Sequence, residues 1–171
     1  MEILDKQPCL ACHEKTVTLT EETREVPHFG RCYLMSMTCN SCHYHSSDIQ
    51  LEKKDNPRKY TFTVEKEDDL KVRVIKSGEA IVKIPQFRMS VTPGPSSIGY
   101  ISNIEGVIRR FKKIVEDQRD TAEDPEVKKT AKNLLKKFWK VECGELKLKI
   151  VIEDPSGNSA IISDKVVISK K

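Results

Sequence analysis

Two short cysteine motifs decide the first part of the fold: Cys9-Leu10-Ala11-Cys12 and Cys39-Asn40-Ser41-Cys42. Two residues between thiols allow a tight turn that points both sulfur atoms at one cation. The 26 residues between the motifs contain two alternating runs, at 16–20 and 32–37, with Pro27 and Gly30 between them. Such alternation predicts a hairpin, which returns the second motif to the first. The pattern therefore predicts a zinc ribbon in which Cys9, Cys12, Cys39 and Cys42 bind one structural Zn²⁺.

Each motif continues into a histidine, His13 or His43, and C-x-x-C-H is also the attachment signature of c-type haem. Haem attachment normally follows export, yet no export signal is visible, and the β-patterned hairpin leaves little chain to wrap two haems. A thioredoxin-like redox site is less favoured still, because neither motif opens a helix after a strand. The sequence therefore favours zinc over haem or redox chemistry.

The two histidines have a backbone explanation. The residue after the second thiol of such a turn often needs a positive φ, and histidine is among the non-glycine residues enriched there. We expect His13 and His43 to serve the backbone and not to bind the metal, and we assign no partner to His28 or His45. The remaining thiols, Cys32 and Cys143, are predicted to be buried small hydrophobes.

Composition limits the classes of function. The chain has 171 residues, 37% of them hydrophobic and 33% charged, which fits one medium domain or two small ones and not a disordered chain. Its apolar runs have the length of strands, so no membrane span is expected. Residues 1–5 lack a basic start and an apolar core, so we expect no signal peptide and a cytoplasmic protein. A formal charge of +4 is too small to indicate nucleic acid by itself.

Beyond the motifs the chain reads as a second, mainly β domain. We place a zinc ribbon at residues 1–54 and a β domain at 55–171, with a hinge at Lys53–Pro57. Strands are predicted by alternation and by their flanking turn residues. Their ranges are 45–52, 60–65, 70–75, 80–84, 87–91, 146–152, 160–162 and 166–168. Asp154-Pro155-Ser156-Gly157 has the preferences of a type I turn.

Two helices interrupt these strands and predict a helical hairpin at about 102–143. Ser102 and Glu105 have the spacing of a capping box, and apolar residues follow at helical spacing up to Val115. Asp124 and Pro125 start the second helix, and Gly144 ends it.

The second helix carries six lysines between residues 125 and 142. Lys128, Lys132 and Lys136 share one face, so an alternative function is nucleic-acid binding through this helix. A solvated helix face is the simpler interpretation, since Phe138 and Trp139 are expected to pack inward and leave no aromatic platform.

Catalysis has little support, because no Gly-rich phosphate loop appears and all four histidines lie within the first 45 residues.

Several runs resemble the ZPR zinc-finger family. They are the four-cysteine ribbon, Arg73–Ser77, Ile84-Pro85, Gly99–Gly106 and Asp154–Ser159, in the order of the family and over nearly the whole chain. The resemblance implies a zinc ribbon followed by a double-stranded β-helix domain that carries a helical hairpin. The chain departs by having His13 and His43 where glycine is usual, and by containing one module where eukaryotic members have two, as in an archaeal form.

Eukaryotic members of that family are chaperones or partners of translation elongation factor 1-alpha. The resemblance therefore implies a non-enzymatic, zinc-binding protein whose partner is this factor. We expect the partner to contact the ribbon and the adjoining loops of the β domain. Glu105 and Asn158, which lie in the family-specific runs, are expected to be mainly structural.

Overall fold

Three antiparallel sheets and two helices form the described part of the chain, residues 1–26, 30–52 and 56–170, in a computed structural model. The elements of the first half are β1 (Glu2–Gln7), β2 (Val17–Val26), β3 (Gly30–Cys39), β4 (His45–Leu51), β5 (Arg58–Val64), β6 (Arg73–Lys76), β7 (Ile81–Ile84), β8 (Met89–Val91) and β9 (Tyr100–Asn103). Those of the second half are α1 (Ile104–Thr121), α2 (Pro125–Glu142), β10 (Leu148–Asp154), β11 (Ala160–Ile161) and β12 (Val167–Lys170). Pro27, His28 and the predicted hinge residues Lys53–Asp55 lie outside the described residues.

The first sheet has the order β1-β2-β3-β4 and forms the ribbon. The predicted hairpin of β2 and β3 is confirmed, and its register sets Val17 opposite Cys39. The first strand, β1, was not expected, because Glu2–Gln7 shows no apolar alternation. It is an exposed edge strand that pairs with β2 through its backbone.

The other two sheets, β12-β5-β10-β7-β8 and β11-β6-β9, enclose the main core with both helices. Alternate residues of β5 and β10 face this core, among them Phe62, Ile150 and Ile152. The predicted strand at 146–152 is thereby confirmed, although it starts at Leu148 and runs to Asp154.

The strand predicted at 70–75 is wrong in its first half. Glu67–Lys71 forms a 3₁₀ helix and β6 begins only at Arg73. The cause is Asp69, a buried carboxylate that accepts hydrogen bonds from the amides of Glu65 and Lys66 and pairs with Lys165 at 2.9 Å. The strand predicted at 87–91 begins only at Met89. Pro85–Phe87 forms a second 3₁₀ helix, and Arg88, which follows it, has a left-handed backbone with φ 52°.

The helical hairpin is confirmed, but its first cap is not the predicted one. Asn103 caps α1 by accepting from the Gly106 amide at 2.8 Å, so the Ser102/Glu105 capping box is wrong. Glu105 instead pairs with Arg109 one turn later. Asp124 caps α2 as predicted, with Pro125 at its first position. A Lys112–Glu142 ion pair at 2.9 Å joins the two helices.

The end of α2 differs from the prediction at two side chains. Phe138 is buried and packs edge-to-face on Phe87, whereas Trp139 is 57% exposed. Cys143, predicted to be a buried hydrophobe, is also exposed. Trp139 lies between the buried residues Phe138 and Val141 but points to the other side of the helix, and Cys143 is the C-terminal cap residue, beyond the last buried side chain of α2.

The ribbon and the β domain meet at a close backbone approach between β4 and the start of β9. A Cβ at Gly99 would lie 2.8 Å from the Ile49 carbonyl oxygen, so only glycine fits without a shift. The Gly99 amide donates to Asp48 at 2.8 Å. Beside this contact, Cys32 and Ile49 of the ribbon pack on Ile75 of β6.

Replacing Asp69 with Asn should lower stability by about 1.5–3 kcal/mol, because charged hydrogen bonds are lost from a buried site. Burial alone would raise the pKa of Asp69, but the two amides and Lys165 outweigh it and hold that pKa below its usual value. The carboxylate therefore stabilises the fold above about pH 4, its ordinary unfolded pKa, and this contribution is lost as pH falls through the folded pKa.

Thermal melts from neutral to acid pH test the contribution of the Asp69 carboxylate to stability. The difference between the wild type and Asp69→Asn should shrink as pH falls below about 4. Asp68→Asn is the matched control, since Asp68 is 70% exposed and pairs with exposed Lys71. Equal melting temperatures for the wild type and Asp69→Asn at neutral pH would contradict the assignment.

Candidate metal centre

Two turns of the same construction carry the four cysteines. In the first, the Cys9 amide donates to the Glu14 carbonyl and the His13 amide donates to the Cys9 carbonyl. In the second, the amides of Cys39 and His43 make the equivalent bonds, to Tyr44 and Cys39. The Asn40 amide donates to the Thr16 carbonyl and so joins the second turn to the start of β2.

The four sulfur atoms form a compact cluster, all within 4.8 Å of one another. Cys9 Sγ lies 3.6 Å from Cys42 Sγ, and Cys12 Sγ lies 3.7 Å from Cys39 Sγ. Tetrahedral ligands at a Zn–S distance of ~2.3 Å would place their sulfurs about 3.8 Å apart. The cluster is therefore already close to the geometry of a four-thiolate zinc site and has four cysteines positioned to bind one metal ion.

Hydrogen bonds to the Cys39 sulfur favour the ionised form that a metal requires. The Thr16 hydroxyl lies 3.3 Å from Cys39 Sγ and, with the Cys42 amide, lowers the pKa of Cys39 to about 6. The Glu14 amide lowers the pKa of Cys12, but burial and the neighbouring thiols outweigh it and raise that pKa to about 12. One negative charge thus makes the next harder to form, as expected of thiolates that crowd together without a cation.

Both histidines after the motifs have the predicted backbone conformation. His13 has φ 62° and His43 has φ 58°, which confirms that they close the turns in the left-handed region. Neither belongs to the cysteine cluster. His45 has a partner after all, since its Nδ1 lies 3.0 Å from the Thr38 hydroxyl. Cys32 is buried as predicted, and burial raises its pKa.

The family-specific runs, far apart in sequence, meet in the β domain around the fully buried carboxylate of Asp154. It accepts from the Ser156 amide at 2.8 Å, from the Ser156 hydroxyl at 2.7 Å, and from the Ser159 hydroxyl. Ser159 in turn accepts from the Ser77 amide at 3.0 Å. The predicted turn at 154–157 is present, with the Gly157 amide 3.3 Å from the Asp154 carbonyl.

A second buried charge lies next to this network. Lys76 is 5% exposed, donates to the Ser77 carbonyl at 2.8 Å and lies over the Tyr100 ring. Burial lowers the pKa of Lys76, and the negative charge of Asp154 opposes that shift. The Arg110 guanidinium covers Tyr100, 4.0 Å from the ring centre. Residues of β6, β9 and the turn at 154–157 therefore form one polar cluster, which periodicity could not reveal.

A cavity of about 640 Å³ lies where the ribbon meets this cluster. Asp48 and Gln50 line it from β4, the loop at 93–97 borders it, and Ser156 and Asn158 line it from the β domain. Asn158 is thus placed at the junction between the two parts of the chain.

The lysines of α2 are exposed as predicted, and four of them line a shallow groove with Arg119. Trp139 does not pack inward, so one argument against a nucleic-acid surface fails. Within the described residues, no helix has both the length and the apolar character that spanning a bilayer demands.

Comparisons with known proteins agree with this architecture. A family model described as the ZPR1 zinc-finger domain matches residues 2–54, and one described as the ZPR1 jelly-roll domain matches residues 68–168. A ZPR1-like protein of Methanocaldococcus jannaschii is 34% identical over 97% of this chain and 84% of its own length. A ZPR1-like protein of Pyrococcus horikoshii is 35% identical over 92% of this chain and 73% of its own length.

A eukaryotic relative, the zinc finger chaperone of Schizosaccharomyces pombe, is 29% identical over 90% of this chain and 33% of its own length. The chain thus spans about a third of that relative, as one module of the predicted kind. These matches confirm the zinc-finger prediction and the β domain of jelly-roll type with a pair of helices. The chain belongs to the ZPR1 family.

Proposed function

We infer that this chain is a zinc-dependent, protein-binding chaperone module, without catalytic activity, whose partner is translation elongation factor 1-alpha in the cytoplasm. The observation that carries the inference is the four-sulfur cluster at tetrahedral spacing, in a chain with a relative named as a zinc finger chaperone. Four protein thiolates around zinc leave no position for a reactive water, which favours a structural metal over a catalytic one.

The proposed ligands are Cys9, Cys12, Cys39 and Cys42, and the ribbon depends on them. Among the described residues, the buried apolar side chains of its core beside the cluster are Cys9, Val17 and Cys39. So small a core cannot hold a sheet by itself. Structural zinc sites contribute roughly 10–16 kcal/mol of apparent binding free energy, and that energy becomes folding energy.

The proposed division is a ribbon at residues 1–54 and a β domain at 55–171. The contact of Ile49 with Gly99, supported by Cys32 and Ile75, would hold the two as one preformed surface. A chaperone surface of this kind can select one nucleotide state of a GTPase only by binding the two states with unequal affinity.

Metal removal tests the first part of the proposal. The purified protein should contain about one zinc per chain and show no haem absorption. Cys39→Ser should release the metal and unfold the ribbon, seen as loss of dispersed amide signals for residues 1–50 by NMR. Cys143→Ser, at the exposed thiol outside the cluster, should keep both. A metal-free protein with an intact ribbon would refute the assignment.

The partner is tested by calorimetric titration with elongation factor 1-alpha in its GTP and GDP forms. The wild type should bind at least one form. Glu105→Ala should bind as tightly, because the ion pair of Glu105 with Arg109 is exposed, and Asn158→Ala should alter stability more than affinity. A large affinity loss with an unchanged melting temperature would show that these residues contact the partner. No binding of the wild type to either form would count against the partner itself.

A second candidate, single-stranded nucleic-acid binding, is favoured by one observation: Trp139 lies exposed on the lysine-rich helix. Stacking of one base on an aromatic side chain contributes about 1–3 kcal/mol. Under the leading proposal, binding to a single-stranded RNA should be weak and abolished by salt, with a slope of about −0.7 per neutralised phosphate. Submicromolar, salt-resistant binding that is lost in Trp139→Ala would instead place this candidate first.

A further inference from the structure

The ribbon sheet has one face that does not pack on the β domain. The register places Cys32, Leu34 and Ile49 on one side of the sheet, where they contact Ile75. Side chains alternate across a strand, so the residues between these point to the opposite side. We call this side the outer ribbon face. It consists of Glu2 and Leu4 of β1, Leu19, Glu21, Thr23 and Glu25 of β2, Arg31, Tyr33, Met35 and Met37 of β3, and Ser46 of β4. Asp48 and Gln50 of β4 do not belong to it, because they line the junction with the β domain.

An apolar stripe crosses this face. Leu4 is opposite Leu19, and Leu19 is opposite Met37, so the three form one cross-strand row. Met35 and Tyr33 continue the stripe along β3 away from the cysteine cluster, against which Leu19 and Met37 pack. Leu4 is 60% exposed, and Leu19, Tyr33, Met35 and Met37 are half-buried. Methionine and leucine on an open surface suit a binding site that must adapt to varied partners.

Carboxylates border the stripe. Glu2 lies directly opposite Glu21, and Met35 is the next residue of the same cross-strand row. Glu25 lies further along β2. Among the described residues that the register pairs on this face, Arg31 is the one cation, and its guanidinium is 3.6 Å from Glu52, which follows β4. The face is therefore acidic, although the whole chain has a formal charge of +4.

The pairing of Glu2 with Glu21 is unfavourable for the isolated protein. Like charges directly opposite each other in an antiparallel pair destabilise the sheet. A cationic group between the two carboxylates would remove that repulsion, so binding a cation here is coupled to a relief of strain that a neutral ligand could not provide.

We propose that the outer ribbon face binds a basic amphipathic segment of the client polypeptide. The apolar side chains of the segment cover Leu4, Leu19 and the methionines, while its lysines or arginines meet Glu2 and Glu21. The opposite charges speed the encounter and exclude acidic segments, and the methionines adjust to the apolar residues that arrive. This inference rests on the proposed chaperone function and names the chemistry of the client segment that the function would recognise.

Methyl NMR of the full, zinc-loaded chain with ¹³C-methyl methionine tests the location. The probe is a short amphipathic peptide of Leu, Lys and Ala, beside a second peptide with Glu in place of every Lys. The chain has four methionines, of which Met35 and Met37 lie on the outer ribbon face and Met89 lies in β8 of the β domain. The basic peptide should shift Met35 and Met37 and leave Met89 unchanged, and the acidic peptide should shift none of them.

Neighbouring charge reversals on β2 test the chemistry. Glu21→Lys and Glu22→Lys change the net charge equally, but Glu21 belongs to the outer ribbon face and Glu22 to the opposite side, where it pairs with Arg24. Glu21→Lys should weaken binding of the basic peptide at least about tenfold, measured by fluorescence anisotropy at physiological salt. Glu22→Lys should bind within about twofold of the wild type. Equal weakening in both variants, or equal binding of both peptides, would overturn the proposal.

The same variants separate this proposal from the identity of the client. If the basic peptide binds as described and elongation factor 1-alpha does not, the outer ribbon face remains a binding site and only the named partner is wrong. If elongation factor 1-alpha binds wild type and Glu21→Lys equally and leaves Met35 and Met37 unshifted, the factor remains the partner and the proposed face is wrong.

Discussion

A fully buried carboxylate requires hydrogen-bond donors, and at Asp154 this requirement links separate strands of the β domain. The donors come from the turn that follows it, Ser156 and Ser159, and Ser159 also holds the backbone of Ser77 at the end of β6. Strands that are distant in sequence are thereby fixed beside one another. The nearby Lys76 ammonium adds an opposite charge where water is excluded.

The same region also forms the surface on which the ribbon packs. The strand β6 alternates between two cores, since Val74 faces the interior of the β domain and Ile75 faces the ribbon. Gly99 leaves the space that lets β4 approach, and Asp48 receives its amide. The ribbon thus rests on a surface that the Asp154 cluster holds in place, and its own cysteine site lies at the far end of β2 and β3.

Features governed by local spacing could be predicted from the sequence. Two residues between thiols fixed the cysteine turns, the position after the second thiol fixed the φ of His13 and His43, and the apolar period located both helices. The errors concern competition between neighbouring groups. Asn103 and not Ser102 caps α1, and Asp69 folds its own segment into a 3₁₀ turn because Lys165, distant in sequence, balances its charge. Such long-range partners, like the backbone pairing of β1, leave no periodic signal.

The position of Trp139 determines which structural changes alter the intrinsic fluorescence of this protein. It is the single tryptophan of the chain, and it is 57% exposed on the surface of α2. Unfolding changes the surroundings of such an indole less than those of a buried one, so its emission is a weak measure of the integrity of either core. A macromolecule that covers the helical hairpin would remove water from the indole and move the emission to shorter wavelength. The chain therefore contains an intrinsic fluorophore for one of its surfaces, on the opposite part of the sequence from the ribbon.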